Sequence, residues 1–186
     1  MRKLIESSFV SLDGVVGDAE TWAMSYFAEA ENKQHGLARL LGCDAFLLGR
    51  QTFALLTANG RRSDGDPYDD HVSSLPKYVA STTLRPGTIE GTVIGADVVA
   101  EVTALKQQPG KDIMKYGNGA LTRALVEHDL IDEFVFWIIP VVVGSGRRLF
   151  EGIDMRHLQL ELTGTTRFGN GAVTLSYVPI DVRVPV

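Results

Sequence analysis

A single cysteine, Cys43, stands in the whole sequence. That excludes an internal disulfide and leaves no set of thiolates for a metal centre, so Cys43 is expected to be a small buried residue. The four histidines, His35, His71, His128 and His157, are too dispersed for a helical or hairpin ligand spacing, and no metal is expected. His128 falls at the end of a helical pattern and reads as a boundary residue. Long apolar runs are also missing. No stretch approaches the roughly 18 apolar residues of a membrane span. The leading "MRKLIESSFVSLDG" meets Glu6 and Ser7 after two apolar residues, unlike the apolar centre of a signal peptide. A cytoplasmic protein without a membrane partner is the expectation. Basic charge is in deficit too: the net charge is -5 and the Lys and Arg residues are scattered, which argues against a nucleic-acid partner gripped by a broad basic face.

What is present is ordinary for a folded domain. Hydrophobic residues make up 45% and charged residues 22% of 186, values near those of globular chains. The length fits one domain, taken as 1–180, with 181–186 as a carboxyl-terminal tail. Strand-like "KLIESSFVSL", "AFLLG" and "KDIMKY" are each followed by helix-like text, the last by "ALTRALVEHDL". In "VVAEVTAL", Val98, Val99, Val102 and Leu105 recur at helical steps and lay one face on a sheet. After Asp132 the pattern changes to "EFVFWIIPVVV", "LQLELTGTTRF" and "AVTLSYVPI", the last two separated by "GNG" as in an antiparallel hairpin. The fold class is therefore α/β: a mixed sheet flanked by helices, with helical crossovers early and antiparallel strands late. Residues 134–143 are apolar on both alternating faces, which predicts an inner strand or one covered by a partner subunit. Pro140 predicts a bulge or a sheet edge there. The polar segment Thr57–Pro76 reads as an excursion from the domain, with Asp66 and Pro67 capping and starting a short helix.

Five stretches could carry chemistry. In "MKYGNGALTRAL" two glycines stand where a strand ends and a helix begins. Glycine lets an anion approach the backbone, Asn118 suits the N-cap region, and the helix from Ala120 would turn its free N–H groups to a phosphate. A plain tight turn is the alternative, because Thr122 stands where a dinucleotide fingerprint has its third glycine. "LLGRQTF" delivers Arg50 and Thr52 after Gly49, and a guanidinium is well shaped for phosphate. "YVASTTL" offers the hydroxyls of Ser81, Thr82 and Thr83 after a short strand. "VVVGSGRRLF" sets Gly144, Gly146, Arg147 and Arg148 after the long strand, and "SLDG" sets Asp13 and Gly14 after the first. Each alone is as well explained by a structural turn; the first three together suggest one anion-binding edge at the strand ends, toward which the fourth could bring an arginine for an anionic substrate and the fifth a carboxylate. Neither a G-x-S-x-G elbow nor a GxxxxGK[ST] loop is present.

In this order, "SLDG", "LLGRQTF", "PKYVASTTL", "YGNGALTRALVEHDLIDEF" and "PVVVGSGRRLF" resemble the dihydrofolate reductase-like superfamily. The branch is the one related to the reductase domain of bacterial riboflavin biosynthesis proteins. The likeness spans roughly Lys3 to Phe150, and the terminal hairpin fits it. It implies a single-domain dihydrofolate reductase-like fold and an NADPH-dependent oxidoreductase, commonly a homodimer, acting on a small molecule. It would place Tyr116, Gly117, Asn118, Gly119, Ala120 and Leu121 near the cofactor diphosphate. Gly49, Arg50 and Thr52 would lie near the adenosine phosphates, and Ser81 and Thr82 beside the adenosine. Asp13 would border the substrate as its positioning or proton-relay group. Trp22, Tyr26 and Phe27 would line a slot for a flat ring, although aromatics at this spacing also suit a core, and Gly144 and Gly146 would complete the substrate side. Two departures matter. Where dihydrofolate reductases resemble one another in an acidic residue four before a phenylalanine, this chain has Ala23 before Phe27. After "SLDG", Val15, Val16 and Gly17 replace the polar or basic residues of the riboflavin branch. The zinc-deaminase signature is absent as well. The reading is a reductase of a pterin- or pyrimidine-like heterocycle. A non-catalytic, dimeric nucleotide-binding module of the same fold is the alternative, and a dimeric scaffold with purely structural turns is a third.

Overall fold

The computed structural model describes residues 1–58, 65–95, 97–152 and 158–180. His157, the 181–186 tail and positions 59–64 of the polar excursion lie outside the described residues. Eight strands form one sheet: β1 (Leu4–Ser11), β2 (Cys43–Gly49), β3 (Lys77–Ala80), β4 (Thr92–Ile94), β5 (Asp112–Tyr116), β6 (Glu133–Ile139), β7 (Gln159–Arg167) and β8 (Val173–Ile180). Their spatial order is β4-β3-β2-β5-β1-β6-β8-β7. The six strands from β4 to β6 run parallel, whereas β8 is antiparallel to β6 and β7 to β8. The mixed sheet and the late hairpin are as the sequence predicts. The three-residue β4 is an addition.

Residue alternation along the inner strands feeds two cores. Phe134 and Phe136 of β6 join Leu4 and Val10 of β1 on one face, under α6 (Val98–Gln107) and α7 (Ala120–Val126). Val135, Trp137 and Ile139 point to the other face. There they meet α2 (Met24–Phe27), α3 (Ala30–Leu40), α4 (Arg50–Ala58) and α5 (Pro67–Ser74). Helix α1 (Ala19–Trp22) is separated from α2 by Ala23, so the expected first helix is two short pieces. Asp66 caps α5 as predicted, its carboxylate accepting from the N–H groups of Tyr68 and Asp69 ahead of Pro67.

β6 is an inner strand whose apolar faces are both covered within the chain, so it gives no reason to expect a partner subunit. Pro140 neither bulges the strand nor marks a sheet edge. The strand simply ends at Ile139, before a ladder N–H would be needed from the proline. No helix among the described residues is long and apolar enough to cross a membrane. They also contain no cluster of His, Cys, Asp and Glu arranged to hold a metal ion.

Cys43 opens β2 and is 2% exposed. Burial, aided by the charges of Asp112 and Asp44, pushes its thiol up to about 12. A thiol reagent at mildly alkaline pH should leave the native protein unlabelled and label it fully in denaturant. Rapid labelling without denaturant would contradict this burial.

Candidate functional site

Because β3, β2, β5, β1 and β6 are parallel neighbours, their carboxyl-terminal ends lie along one edge of the sheet. From those ends emerge Ser81, Arg50, Gly117, Leu12–Asp13 and the 140–148 loop, in that spatial order. All five sequence motifs thereby meet along one edge without being neighbours in the chain. Ligands of open parallel sheets bind at this kind of edge.

At its centre is the glycine turn. Gly117 has φ +81°, and a Cβ built on it would lie 2.6 Å from Thr52 Oγ1, so the turn is seated directly on α4. This brings Thr52 of "LLGRQTF" against the turn of "YGNGAL". Arg50 is the exposed first residue of α4, and Gly49 ends β2. Ser81 accepts hydrogen bonds from the N–H groups of Thr83 (3.2 Å) and Leu84 (3.0 Å), which shapes the loop after β3, while Thr82 is exposed. Ala120 opens α7 on the exposed side, and Leu121 packs against the core beneath that helix.

Asn118 does not act as the helix cap. Gly119 precedes the helix, and its N–H donates to Thr122 Oγ1 at 3.2 Å. Asn118 turns inward and donates from Nδ2 to Glu6 Oε1 at 2.8 Å. Glu6, fully buried, is the cross-strand neighbour of Lys115 in the β1–β5 register. Lys115, 1% exposed, places Nζ 3.1 Å from Glu6 Oε2. The same Nζ donates to Gly117 O (2.5 Å) and Thr122 Oγ1 (2.7 Å). Burial is the main influence lowering the lysine pKa, and Glu6 opposes it. A buried ion pair thus grips the turn from below through its carbonyl, its asparagine and the threonine that caps its helix.

Sequence reasoning missed Glu6, Lys115 and Thr122. The available signal was a carboxylate, Glu6, and an ammonium, Lys115, each following apolar residues inside a strand-like run, "LIESSF" and "DIMKY". It also missed Tyr68, whose hydroxyl lies 2.9 Å from that of Tyr116, the last residue of β5. Burial raises both phenols above their ordinary range, so the pair stays protonated at any working pH.

Asp13 reaches the same edge but is heavily engaged. Its carboxylate accepts from Ser11 Oγ (2.6 Å), Val143 N (3.1 Å) and Gly144 N (2.9 Å). These bonds, that of Ser11 foremost, lower its pKa to about 2. It is ionised near neutrality and clasps the loop after β6. In that loop Gly144 has open space where a side chain would stand, and Gly146 sits against Val15. Trp22 is half-buried, with its indole N–H on Gly17 O at 3.0 Å, and Tyr26 is half-buried nearby in chain. Phe27 belongs to the core, edge-on to Phe9, Tyr68 and Trp137 and 5% exposed.

The family model of the RibD C-terminal domain matches residues 2–174. The chain belongs to that family. The Bacillus subtilis (strain 168) protein named "Uncharacterized protein YyaP" is 34% identical to this chain over 139 residues. That alignment covers 72% of this chain and 73% of YyaP. A pyrimidine reductase-like protein of Corynebacterium diphtheriae superposes with a TM-score of 0.66 at 14% identity, over 96% of this chain and 92% of that one. Dihydrofolate reductase of Enterococcus faecalis, solved with NADP(H), superposes with a TM-score of 0.64 at 15% identity, over 96% and 97%. At these identities the two structures establish a shared fold. The RibD C-terminal domain and dihydrofolate reductase architectures are one, and this chain has it.

Proposed function

We propose that this protein is an NADPH-dependent reductase that delivers hydride to a small, flat pterin- or pyrimidine-like heterocycle. The observation that carries the reading is the seating of Gly117 against Thr52, which joins two separately recognised anion motifs at the carboxyl edge of a parallel sheet. The fit to a dinucleotide is supported by the bare backbone of Gly117 and Gly119 and by the exposed Arg50 on the adjoining helix. Membership of the RibD C-terminal domain family and the fold shared with a reductase solved with NADP(H) support it further.

When bound, the nicotinamide supplies the hydride. The chain's own residues hold and orient. Gly117 to Leu121 would hold the diphosphate, Arg50 and Thr52 the adenosine phosphates, and Ser81 and Thr82 the adenosine. Asp13, ionised and clasped, acts as a fixed negative group beside the substrate and not as a proton carrier near neutral pH. Trp22 and Tyr26 contribute ring surface on the substrate side, with Phe27 as the core support behind them. Ala23 offers no carboxylate at the position where dihydrofolate reductases resemble one another in having one, which supports a substrate other than dihydrofolate.

The reading is tested by titrating purified protein with NADPH and with NADH, followed by a turnover screen of pterins and pyrimidines. Saturable binding that favours NADPH is expected. Arg50→Ala should weaken NADPH by roughly 10-fold or more while leaving NADH nearly unchanged, the loss of one charge-assisted contact to a phosphate. Absence of binding at millimolar cofactor would overturn the reductase reading. Tight binding without turnover on any heterocycle would favour the non-catalytic module, to which the full engagement of Asp13 lends weight.

A further inference from the structure

The loops that follow β1 and β6 are zipped together over several residues. Leu12 N donates to Val141 O (2.8 Å), Val16 N to Arg147 O (2.8 Å) and Leu149 N to Gly14 O (2.9 Å). Val15 and Arg148 form an antiparallel bridge, and the Arg148 guanidinium donates to the Asp13 carbonyl. With the Asp13 carboxylate on the N–H groups of Val143 and Gly144, the backbone is anchored on both sides of Arg147.

The Arg147 side chain reaches back across this zipper to the glycine turn. A Cβ on Gly119 would lie 3.5 Å from Arg147 Nη1 and 3.8 Å from Cζ, so the guanidinium faces the bare Cα of Gly119 across the space a side chain would fill. The neighbouring arginines are occupied: Arg123 donates to Glu151 O, and Arg148 to Asp13 O. Glu151, four residues on from Arg147 in sequence, accepts from Arg148 N. Among the described residues the Arg147 guanidinium has neither a hydrogen bond nor an ion pair. Its charge also acts against the protonation of Lys115 below the turn. Two cations are therefore held around one glycine turn, with a single carboxylate, Glu6, committed to the buried one. A planar donor fork held beside a bare backbone, with no acceptor of its own, matches a multidentate oxyanion.

We infer that Arg147 is an anion ligand, closing the glycine turn from the side of the 140–148 loop and taking a diphosphate oxygen of the nucleotide that the turn holds. The inference rests on the cofactor part of the proposed function. It adds a physical link: an occupied turn would tie the loop clasped by Asp13 to the bound cofactor. Nucleotide binding and the ordering of the substrate-side loop then become one event.

The test compares wild type, Arg147→Ala and Arg147→Lys for binding NADPH and adenosine 2′-monophosphate, which keeps the adenosine and its 2′-phosphate but has no diphosphate. Arg147→Ala should weaken NADPH about 10- to 100-fold and leave adenosine 2′-monophosphate unchanged, with Arg147→Lys recovering only part because an ammonium cannot fork. Hydrogen exchange in residues 140–149 should slow on saturation with NADPH in wild type and not in Arg147→Ala. The exposed side chain can be removed without loss of folding, which an unchanged melting temperature verifies. If wild type binds NADPH and Arg147→Ala binds it within twofold, the inference fails while the reductase reading stands. Equal weakening of both ligands overturns the diphosphate assignment. Failure of wild type to bind NADPH at all removes both.

Discussion

Replacing Lys115 with methionine is expected to destabilise the protein by about 3–5 kcal/mol, the usual penalty for leaving one member of a buried ion pair without its partner. Glu6 would remain fully buried, facing a thioether where it now faces an ammonium. Gly117 O would lose its donor at the same time, and Thr122 Oγ1 one of its two. For a chain of this size the melting temperature should fall by about 6–20 °C. The double variant Glu6→Gln, Lys115→Met separates the charge from the contact. Glutamine still accepts from Asn118 but carries no charge to strand, so a substantial part of the stability should return. Thermal or urea unfolding of the four proteins closes the cycle. A single variant that loses less than about 1 kcal/mol would mean that the pair is solvated or neutral and does not brace the turn.

The contrast between Glu6 and Gly117 explains what sequence could and could not reveal. Gly117 was legible because its reason is local: a glycine between a strand pattern and a helix pattern marks a backbone turn whatever the rest of the chain does. The same holds for the Asp66-Pro67 helix start and for the "GNG" hairpin, whose signals span a few residues. Glu6 reads locally as a polar break in a strand. Its meaning depends on Lys115, in a strand far along the chain that becomes its neighbour only through a parallel crossover. Register between parallel strands leaves no turn to read, so the pair was invisible although both residues were conspicuous. β4 was missed for a related reason: three residues, the first of them exposed, owe their strand character to pairing with β3. The joined loops after β1 and β6 show the intermediate case. Both were recognised as strand-end motifs, but the carboxylate of Asp13 read as free chemistry, whereas folding engages it with the N–H groups of Val143 and Gly144.

Gly117→Ala should damage the site through a single methyl group. The residue has φ +81°, where an L side chain is strained by about 1–2 kcal/mol. The new Cβ would also stand 2.6 Å from Thr52 Oγ1, a contact that overpacking data place at about 1–3 kcal/mol more. The two terms are separable. Thr52→Ala removes Oγ1 and leaves its own Cβ at 3.7 Å from the added methyl, an ordinary contact. The double variant should therefore recover the steric part and retain only the conformational strain. Binding should divide differently. Gly117→Ala moves the turn away from α4, and NADPH affinity should fall along with stability. The double variant regains stability but not affinity, because Thr52 is itself a proposed phosphate ligand. If Gly117→Ala proves neutral in stability, the turn relaxes at little cost and its close seating on α4 is not a structural requirement. If affinity returns together with stability in the double variant, Thr52 serves only to shape the turn, and the phosphate contact belongs to the turn backbone and its arginines.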